Sequence, residues 1–291
     1  MAVVIISSTV DPASTNIKNS LLEQSTWDEI DVFETSPVYR HSKMKDVIIV
    51  TIKDRKITHE NLDKEIGNKL GIKPKQAIFI SRHTSKMKQP TLTVHPIGNY
   101  GDAKFGGKPK TLVKSSPKSM AHLLRLIKKN LKQTTLDYQV CYEVTHHGPY
   151  LGIPTLFAEI GSTEKEWSQK ESGIIIAQSV IELLEEYRYE EDFSDEIKVL
   201  LGIGGGHYAP RFTDVVFEKK AAFGHMIPLY HIEAGNINYE IIEKAIDKTP
   251  NIHGVYLHKK SLKKSQVTEY KQYFQNQGVP MISSKDLPTI S

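Results

Sequence analysis

The sequence predicts an α/β fold built on a mixed, largely parallel sheet with helices on both faces. Three observations support this prediction: short β-branched apolar runs, amphipathic segments between them, and the alternation of the two along the chain. Strands that alternate with helices are typical of parallel sheets covered on both sides. Near Thr91 and Gln139 we expect some antiparallel pairing, so the predicted sheet is mixed.

Ten runs are predicted to be strands because their β-branched and aromatic side chains suit a pleated, buried surface. In chain order they are Val3–Ser7, Val47–Ile52, Gln76–Ile80, Thr91–His95, Gln139–Thr145, Thr155–Ile160, Val199–Ile203, His225–Pro228, Gly254–His258 and Met281–Ser283.

Helices are predicted where apolar residues recur every three or four positions. In Ser119–Lys132 such a stripe faces away from a row of lysines. The longest predicted helix, Thr163–Tyr187, has acidic residues in its first turn, where the helix dipole favours them. The other helices are predicted over Ile57–Leu70, Tyr239–Ile246 and Leu262–Phe274.

The composition is that of an ordinary globular protein. The chain has 291 residues, of which 39% are apolar and 25% charged. The single cysteine, Cys141, cannot form an internal disulfide. The N-terminus lacks the basic region of a signal peptide, and no apolar run approaches the ~18–20 residues of a membrane span. We expect one soluble, cytoplasmic domain over 1–291, with a Lys-rich insertion at about 100–116.

The net charge of +4 is distributed unevenly. Residues 66–136 hold 15 basic residues and one acid, Asp102, which gives this segment a charge of +14 and the remainder −10. Such asymmetry favours a polyanionic partner. The alternative is that these lysines solvate the surface and face acids from elsewhere in the fold. Within the segment, 100–116 is predicted to be a long, mobile, cationic loop.

The most informative motif is LGIGGGHYAPR at 201–211, which follows a predicted strand. Ligands of parallel α/β sheets bind beyond the carboxyl ends of strands. Three glycines at 204–206 allow close backbone approach and can turn amides toward a ligand. His207 beside them could be a general base, an acid or a metal ligand. The motif does not match a dinucleotide fingerprint, because Pro210 interrupts the helix that should follow the glycines.

Six of the 12 histidines fall at predicted strand ends: His83, His95, His146, His147, His207 and His225. Because neighbouring side chains of a strand point to opposite faces, we expect one of His146 and His147 to face the pocket and the other to support it. Histidines with carboxylates suit a catalytic Zn²⁺, which supplies hydroxide for ester or amide hydrolysis.

A metal-free hydrolase remains open at this point. His207 or His147 would then be the general base, and the glycine amides would stabilise the oxyanion. Neither an H-E-x-x-H nor a G-x-S-x-G element is present, and Cys141 lies inside an apolar strand.

Five motifs together resemble the archaeal-and-plant type of D-aminoacyl-tRNA deacylase. They are SRH at 81–83, HPIGN at 95–99, THHGP at 145–149, EIGST at 159–163 and GGGHYAP at 204–210. The resemblance implies hydrolysis of the ester that joins a D-amino acid to the 3′ end of tRNA. It also implies an association with zinc, and a fold similar to that of peptidyl-tRNA hydrolases and nucleoside phosphorylases.

On this hypothesis His147 and His207 activate water, and Glu159 orients a histidine or the metal. Substrate-binding residues are predicted to be Ser81, Arg82, Asn99, Gly204, Gly205, Gly206 and Tyr208. Candidate zinc ligands are His83, His95, His146 and His225. The tRNA partner is expected to place phosphates on Lys104, Lys108, Lys110, Lys128 and Lys129, and a terminal base on Tyr100, Phe105 or Tyr208. No membrane and no obligate protein partner are expected.

Two other functions remain possible from the sequence. A nucleoside phosphorylase or nucleosidase would use the glycine turn and Arg82 to bind phosphate, but would leave the cationic segment without a role. A non-catalytic RNA-binding protein would explain the charge, but not the histidines at strand ends.

Overall fold

A computed structural model describes residues 1–290 of the chain. Its strands are β1 (Ala2–Ser8), β2 (Trp27–Phe33), β3 (Ser36–His41), β4 (Val47–Ile52), β5 (Pro74–Thr84), β6 (Thr91–His95), β7 (Gly98–Asn99), β8 (Thr111–Leu112), β9 (Gln139–Tyr142), β10 (Thr155–Ser162), β11 (Lys198–Ile203), β12 (Ala221–Ile227) and β13 (Ile252–Leu257). Its helices are α1 (Pro12–Gln24), α2 (Leu62–Leu70), α3 (Pro117–Leu131), α4 (Glu164–Ser168), α5 (Lys170–Glu186), α6 (Pro210–Glu218), α7 (Leu229–Glu233), α8 (Tyr239–Asp247) and α9 (Lys264–Asn276).

The larger sheet has eight strands in the order β2-β3-β4-β1-β5-β10-β6-β9. Strands β4, β1, β5 and β10 are parallel, and β6 pairs antiparallel with β10. The predicted α/β fold with a mixed, largely parallel sheet is therefore confirmed, as is the antiparallel pairing near Thr91. Strand β9 differs from the prediction, because it pairs with β6 in parallel.

Strands β12, β11 and β13 form a second, separate sheet that is entirely parallel. The sequence pattern did not separate these strands from the others, because strand periodicity carries no information about which strands pair. A distinct apolar cluster packs on this sheet and includes Leu201, Ile242 and Phe274.

The two faces of the larger sheet are covered differently. Helices α1, α3 and α5 pack together over one face, where the core includes Ile5, Ile78 and Val180. The other face carries α2 and a smaller core that includes Phe79 and Phe157. None of the helices within residues 1–290 combines the length and the hydropathy that crossing a membrane requires.

The helices of the structure differ from the predicted ones in two places. Helix α1 was not predicted, although Asp11 caps it by accepting from the Ser14 amide and Pro12 occupies its first turn. The predicted long helix is interrupted at Gln169, whose backbone is extended. The Asn16 amide of α1 donates to the carbonyls of Trp167 and Gln169 and so satisfies the groups that the break exposes.

The Lys-rich segment, predicted to be mobile, is held by defined contacts. Its ends pair as β7 and β8. The Asn99 side-chain amide donates to the carbonyls of Gly106 and Lys108, at 2.9 and 3.3 Å. Glu60 accepts from the Gly107 amide at 2.8 Å. Asn99 therefore shapes this loop from within, and its predicted role in binding substrate stays a prediction.

Candidate active site

A polar cluster begins where the apolar residues on one face of the larger sheet end. Phe79 of β5 and Phe157 of β10 stack with ring centroids 4.6 Å apart. Two residues further along each strand, on the same face, lie Ser81 and Glu159, which are register partners. His83 follows after another two residues. The cluster thus lies at the carboxyl ends of these parallel strands, where ligands of such sheets bind.

Glu143, just beyond the end of β9, lies at the centre of the cluster and is fully buried. Its Oε2 accepts from His207 Nε2 at 2.9 Å and lies 3.1 Å from His83 Nδ1. His146 Nε2 lies 3.4 Å from the same oxygen. The other oxygen, Oε1, is buried without a hydrogen-bond partner. The sequence did not single out this residue, which fell inside the predicted strand Gln139–Thr145.

The charge of Glu143 follows from two opposing effects. Burial alone would raise its pKa, but hydrogen bonds from His207 and His83 outweigh burial and hold the pKa well below its usual value. Glu143 is therefore a carboxylate at neutral pH. In turn, burial lowers the pKa of His83, but the bond to Glu143 leaves that pKa raised.

Three histidines each place Nδ1 against a backbone carbonyl. Nδ1 of His95, His146 and His147 lies 3.2, 2.7 and 3.0 Å from the backbone carbonyls of residues 96, 144 and 148. A carbonyl can only accept, so each Nδ1 carries a proton, and in a neutral ring Nε2 then keeps its lone pair. This arrangement, in which a backbone carbonyl fixes the tautomer, is typical of metal-binding histidines.

The pKa values of two of these histidines agree with neutral rings. Burial, followed by the charges of His147 and His95, lowers the pKa of His146 well below its usual value. Burial and then His95 lower the pKa of His147 to about 3. A ring that stays neutral is a good metal ligand and a weak base, so this geometry favours the former role for His147.

The donor set fits a metal ion of the kind that binds nitrogen and oxygen. Three groups each bring ligand atoms within 4.8 Å of one another: His95 with His146 and His147; His83 with Glu143 and His207; and His95 with Glu143 and Glu159. In addition, His95 Nε2 and Glu143 Oε1 are buried with no hydrogen-bond partner. Buried polar atoms without a partner are costly unless a ligand satisfies them.

The cluster opens into a cavity of about 370 Å³. Of the predicted site residues, the structure brings seven to its wall: Ser81, Arg82, His83, His146, His147, Glu159 and His207. Tyr208 also belongs to the site, since its hydroxyl lies 3.1 Å from His83 Nε2.

One side of this cavity holds a buried ion pair that the sequence did not suggest. Asp11 Oδ2 accepts from Lys56 Nζ at 2.7 Å and from the Arg82 amide at 3.1 Å. Ser81 Oγ donates to the same oxygen at 3.3 Å. Asp11 therefore joins the start of α1 to the end of β5.

The glycine turn lies outside this cavity, which corrects its predicted role. Gly204 and Gly205 adopt positive φ values of 101° and 88°, which explains the need for glycine there. Their amides donate to the Ile227 carbonyl and to Ser261 Oγ, at 2.8 Å each. Because these two amides are satisfied within the protein, they are not available to an oxyanion. The turn instead presents His207 to Glu143.

His225 also lies apart from the cluster, although it was a candidate metal ligand. It is fully buried within β12, and its Nε2 lies 2.9 Å from the Val113 carbonyl. Thr145 Oγ accepts from the Met226 amide and therefore donates to His225 Nδ1, at 3.0 Å. Both ring nitrogens are engaged, so this neutral histidine holds three segments of backbone together.

We expect His225 to make the fold sensitive to acid. Burial lowers its pKa from 6.5 to about 4, so the unfolded chain binds a proton more readily than the folded one. The contribution of His225 to the free energy of unfolding is fully present above pH 6.5 and is lost as pH falls toward 4. The loss amounts to about 3 kcal/mol. Urea unfolding at several pH values should show a shallower loss of stability for His225→Gln than for the wild type. Equal slopes would contradict this role.

The predicted tRNA-binding residues do not form one surface. Lys104, Lys108 and Lys110 are exposed on the loop beside the cavity. The pair on α3 lies on the opposite face of the sheet, where Lys129 pairs with Glu182 at 2.8 Å and Lys128 lies over the Phe217 ring. Helical spacing had placed these lysines opposite the buried stripe of α3, but could not show which face of the sheet α3 covers.

Of the three aromatic residues predicted to stack on a terminal base, Tyr100 lies away from the cavity. Tyr100 is completely buried in the core of the smaller sheet, so it cannot stack on a nucleotide base. Phe105 is 68% exposed and lines the cavity.

Comparisons with known proteins agree with the motifs. The family model for D-aminoacyl-tRNA deacylase matches residues 70–282. A D-aminoacyl-tRNA deacylase of Pyrococcus horikoshii is 43% identical over 247 residues, which are 84% of this chain and 86% of the relative. One of Methanosarcina mazei is 34% identical over 292 residues, covering 98% and 93%.

A solved structure supports the fold over the whole chain. The crystal structure of a conserved protein described as of unknown function has a TM-score of 0.88 and 30% sequence identity, with 99% of each chain covered. The matched family model and the two relatives each span most of the present sequence. The chain therefore belongs to the D-aminoacyl-tRNA deacylase family.

Proposed function

We propose that the protein hydrolyses the ester bond of D-aminoacyl-tRNA and releases the free D-amino acid and tRNA. The observation that supports this most strongly is the pair of His207 and Glu143 beside three imidazoles, those of His95, His146 and His147, whose ligand atoms lie within 4.8 Å of one another. Family membership supplies the substrate class. The same cavity carries polar groups on its walls and opens beside a cationic loop, as a hydrolase acting on a polyanion requires.

In this proposal His207 is the general base. Its Nε2 donates to the Glu143 carboxylate, which leaves Nδ1 as the nitrogen that can accept a proton. Glu143 fixes the orientation of the ring and stabilises the imidazolium that forms when His207 takes a proton from water. Glu143 thus orients His207, and Glu159, whose carboxylate lies 3.7 Å from both His83 and His95, would orient a histidine or the metal as predicted from the sequence.

His95, His146 and His147 would hold the zinc ion that the family resemblance implies, with Glu143 or Glu159 completing the set. When bound, zinc polarises the ester carbonyl and lowers the pKa of water in the site. The chain's own contribution is to hold each Nδ1 against a backbone carbonyl, which leaves the three Nε2 atoms as the candidate ligand atoms.

Arg82 and Phe105 supply groups in the cavity for the nucleotide end of the substrate. Arg82 lies over Trp167, with 5.1 Å from the guanidinium carbon to the ring centroid, and also lines the cavity. Phe105 offers an exposed ring for stacking of a terminal base. Together with Lys104 and Lys108, these residues form a cationic and aromatic entrance suited to the single-stranded 3′ end of tRNA.

The reaction class is tested by incubating the protein with D-tyrosyl-tRNA and analysing the products. The proposal predicts free D-tyrosine and intact tRNA. Release of a nucleobase would support a nucleosidase instead, and binding of tRNA with no release of any product would support an RNA-binding protein.

His207→Ala is expected to lower kcat for D-tyrosyl-tRNA by about 10²–10⁴-fold, the usual contribution of a general base. His122→Ala is a matched control, because His122 lies on α3 and contacts Glu186 away from the site. Single-turnover hydrolysis measures both variants. Full activity of His207→Ala would refute its assignment as the base.

A further inference from the structure

A second, larger groove of about 1060 Å³ lies at the carboxyl end of β13 in the smaller sheet. It adjoins the glycine turn, since a side chain at Gly204 or Gly205 would meet Ser261 or His258. His258 lines the groove, whereas His207, two residues beyond Gly205, contacts Glu143. The same turn therefore borders both the groove and the active site.

The groove is strongly cationic. Its lining includes a single acidic side chain, that of Asp286. The basic side chains in the lining are five: Arg211, Lys259, Lys260, Lys271 and Lys285. Every ion pair within 4.0 Å in residues 1–290 involves other cations. Asp286 itself accepts from the amide and hydroxyl of Ser283. The five cations are thus left without a carboxylate partner.

One of these cations is held in a fixed orientation. Arg211 Nε donates to the Tyr256 hydroxyl at 2.9 Å, and its terminal nitrogen donates to Ser284 Oγ at 2.5 Å. These contacts aim the guanidinium while leaving donors unused, since arginine has five N–H groups. Burial, then Arg211 and Lys260, lower the pKa of His258, which is consistent with a positive field here.

The groove also has an apolar part, formed by Leu257, Val279, Met281 and Ile282. A surface that combines apolar contacts with unpaired cations matches a sugar-phosphate backbone, in which apolar sugar faces alternate with phosphates. An acidic peptide would lack this regular alternation. Charge and surface chemistry therefore favour a nucleic acid backbone as the ligand.

We propose that this groove binds phosphodiesters of the tRNA substrate and thereby orients its 3′ end toward the active site. The inference rests on the proposed function. Arg211 follows His207 by four residues, so their Cα atoms lie at most about 15 Å apart. That is a distance that a few nucleotides can span. The groove lies outside the cationic segment 66–136 and adds a second set of contacts.

The test replaces two of the unpaired lysines, in Lys260→Gln/Lys271→Gln. Each phosphate contact contributes about 0.9 to the slope of log K against log salt, so the slope should fall by about 2. The corresponding loss of affinity for uncharged tRNA is roughly 30-fold at 0.15 M salt. Hydrolysis of D-tyrosyl-adenosine, which lacks the backbone, should keep its rate.

The control is Lys45→Gln/Lys170→Gln, which removes the same charge from exposed pairs with Asp28 and Glu23. Its affinity and salt slope should be close to those of the wild type. Equal affinity and slope in the two double variants would overturn the proposal. Binding of inorganic pyrophosphate is measured in the same variants. A groove variant that loses pyrophosphate binding but keeps tRNA binding would also overturn the proposal, because the groove would then be a site for small anions.

Binding of uncharged tRNA needs no turnover, so the groove and the proposed function can fail separately. A wild type that releases no amino acid, while the groove variant loses tRNA affinity, would refute the deacylase and support the groove. Normal deacylation by the wild type with unchanged tRNA affinity in the groove variant would refute the groove alone.

Discussion

Glu143→Gln is expected to lower kcat/KM for D-tyrosyl-tRNA by about 10³–10⁴-fold, comparable to the loss of the orienting carboxylate in a catalytic triad. The amide keeps the shape of the side chain but removes its charge. It can no longer stabilise the imidazolium of His207 or hold the proton on His83 Nδ1. In single-turnover hydrolysis, the loss should appear in the rate constant measured at saturating enzyme.

Glu190→Gln is the matched control, because Glu190 is also a buried carboxylate. It accepts from the amides of Lys118 and Ser119 at the start of α3, on the other face of the sheet. We expect this variant to lose stability while its deacylation rate stays near that of the wild type. Similar losses of rate in both variants would mean that Glu143 acts only through stability.

His147→Ala is expected to reduce bound zinc and to lower deacylation by at least about 100-fold. The variant removes one of three imidazoles whose ligand atoms lie within 4.8 Å of one another. Two histidines hold zinc far less well than three with a carboxylate. Elemental analysis of the purified protein gives the metal content, and hydrolysis of D-tyrosyl-tRNA gives the rate.

His122→Ala serves as the control here too and should keep both zinc and activity. Chelation of the wild type should abolish hydrolysis, and added zinc should restore it. Undiminished zinc in His147→Ala, or hydrolysis that survives complete removal of the metal, would show that these histidines do not hold a catalytic ion.

Much of the fold was predictable because strand and helix periodicities are local. The parallel strands β1, β4, β5 and β10 all appeared as apolar runs. Helix α1 escaped because its apolar stripe is weak, and its stability comes from packing against α5. The hairpin of β2 and β3 escaped because β2 is largely exposed and carries three acidic residues among its seven.

The site was predictable to the extent that its residues lie at strand ends. Five of the six singled-out histidines meet there. His225 does not, because β12 begins at Ala221 and carries this residue in its interior. Glu143 was missed because β9 ends at Tyr142, three residues earlier than the apolar pattern suggested. A single acid within an otherwise apolar run was the signal that could have identified it.

Charge patterning along the chain predicted an anionic partner but not the surfaces that face it. Some of the basic residues serve the fold: Arg125 donates to three backbone carbonyls, and Lys118 is buried. Conversely, the groove lysines 259 and 260 lie outside the cationic segment. The distribution of charge along the sequence cannot show which basic residues are used in the fold and which face solvent, because tertiary packing decides it.

The most direct test of the account compares the hydrolysis of D-tyrosyl-tRNA and L-tyrosyl-tRNA by the wild-type protein under identical conditions. The account predicts rapid release of D-tyrosine, little release of L-tyrosine, and intact tRNA in both reactions. Equal release of the two amino acids, or release of neither, would contradict it.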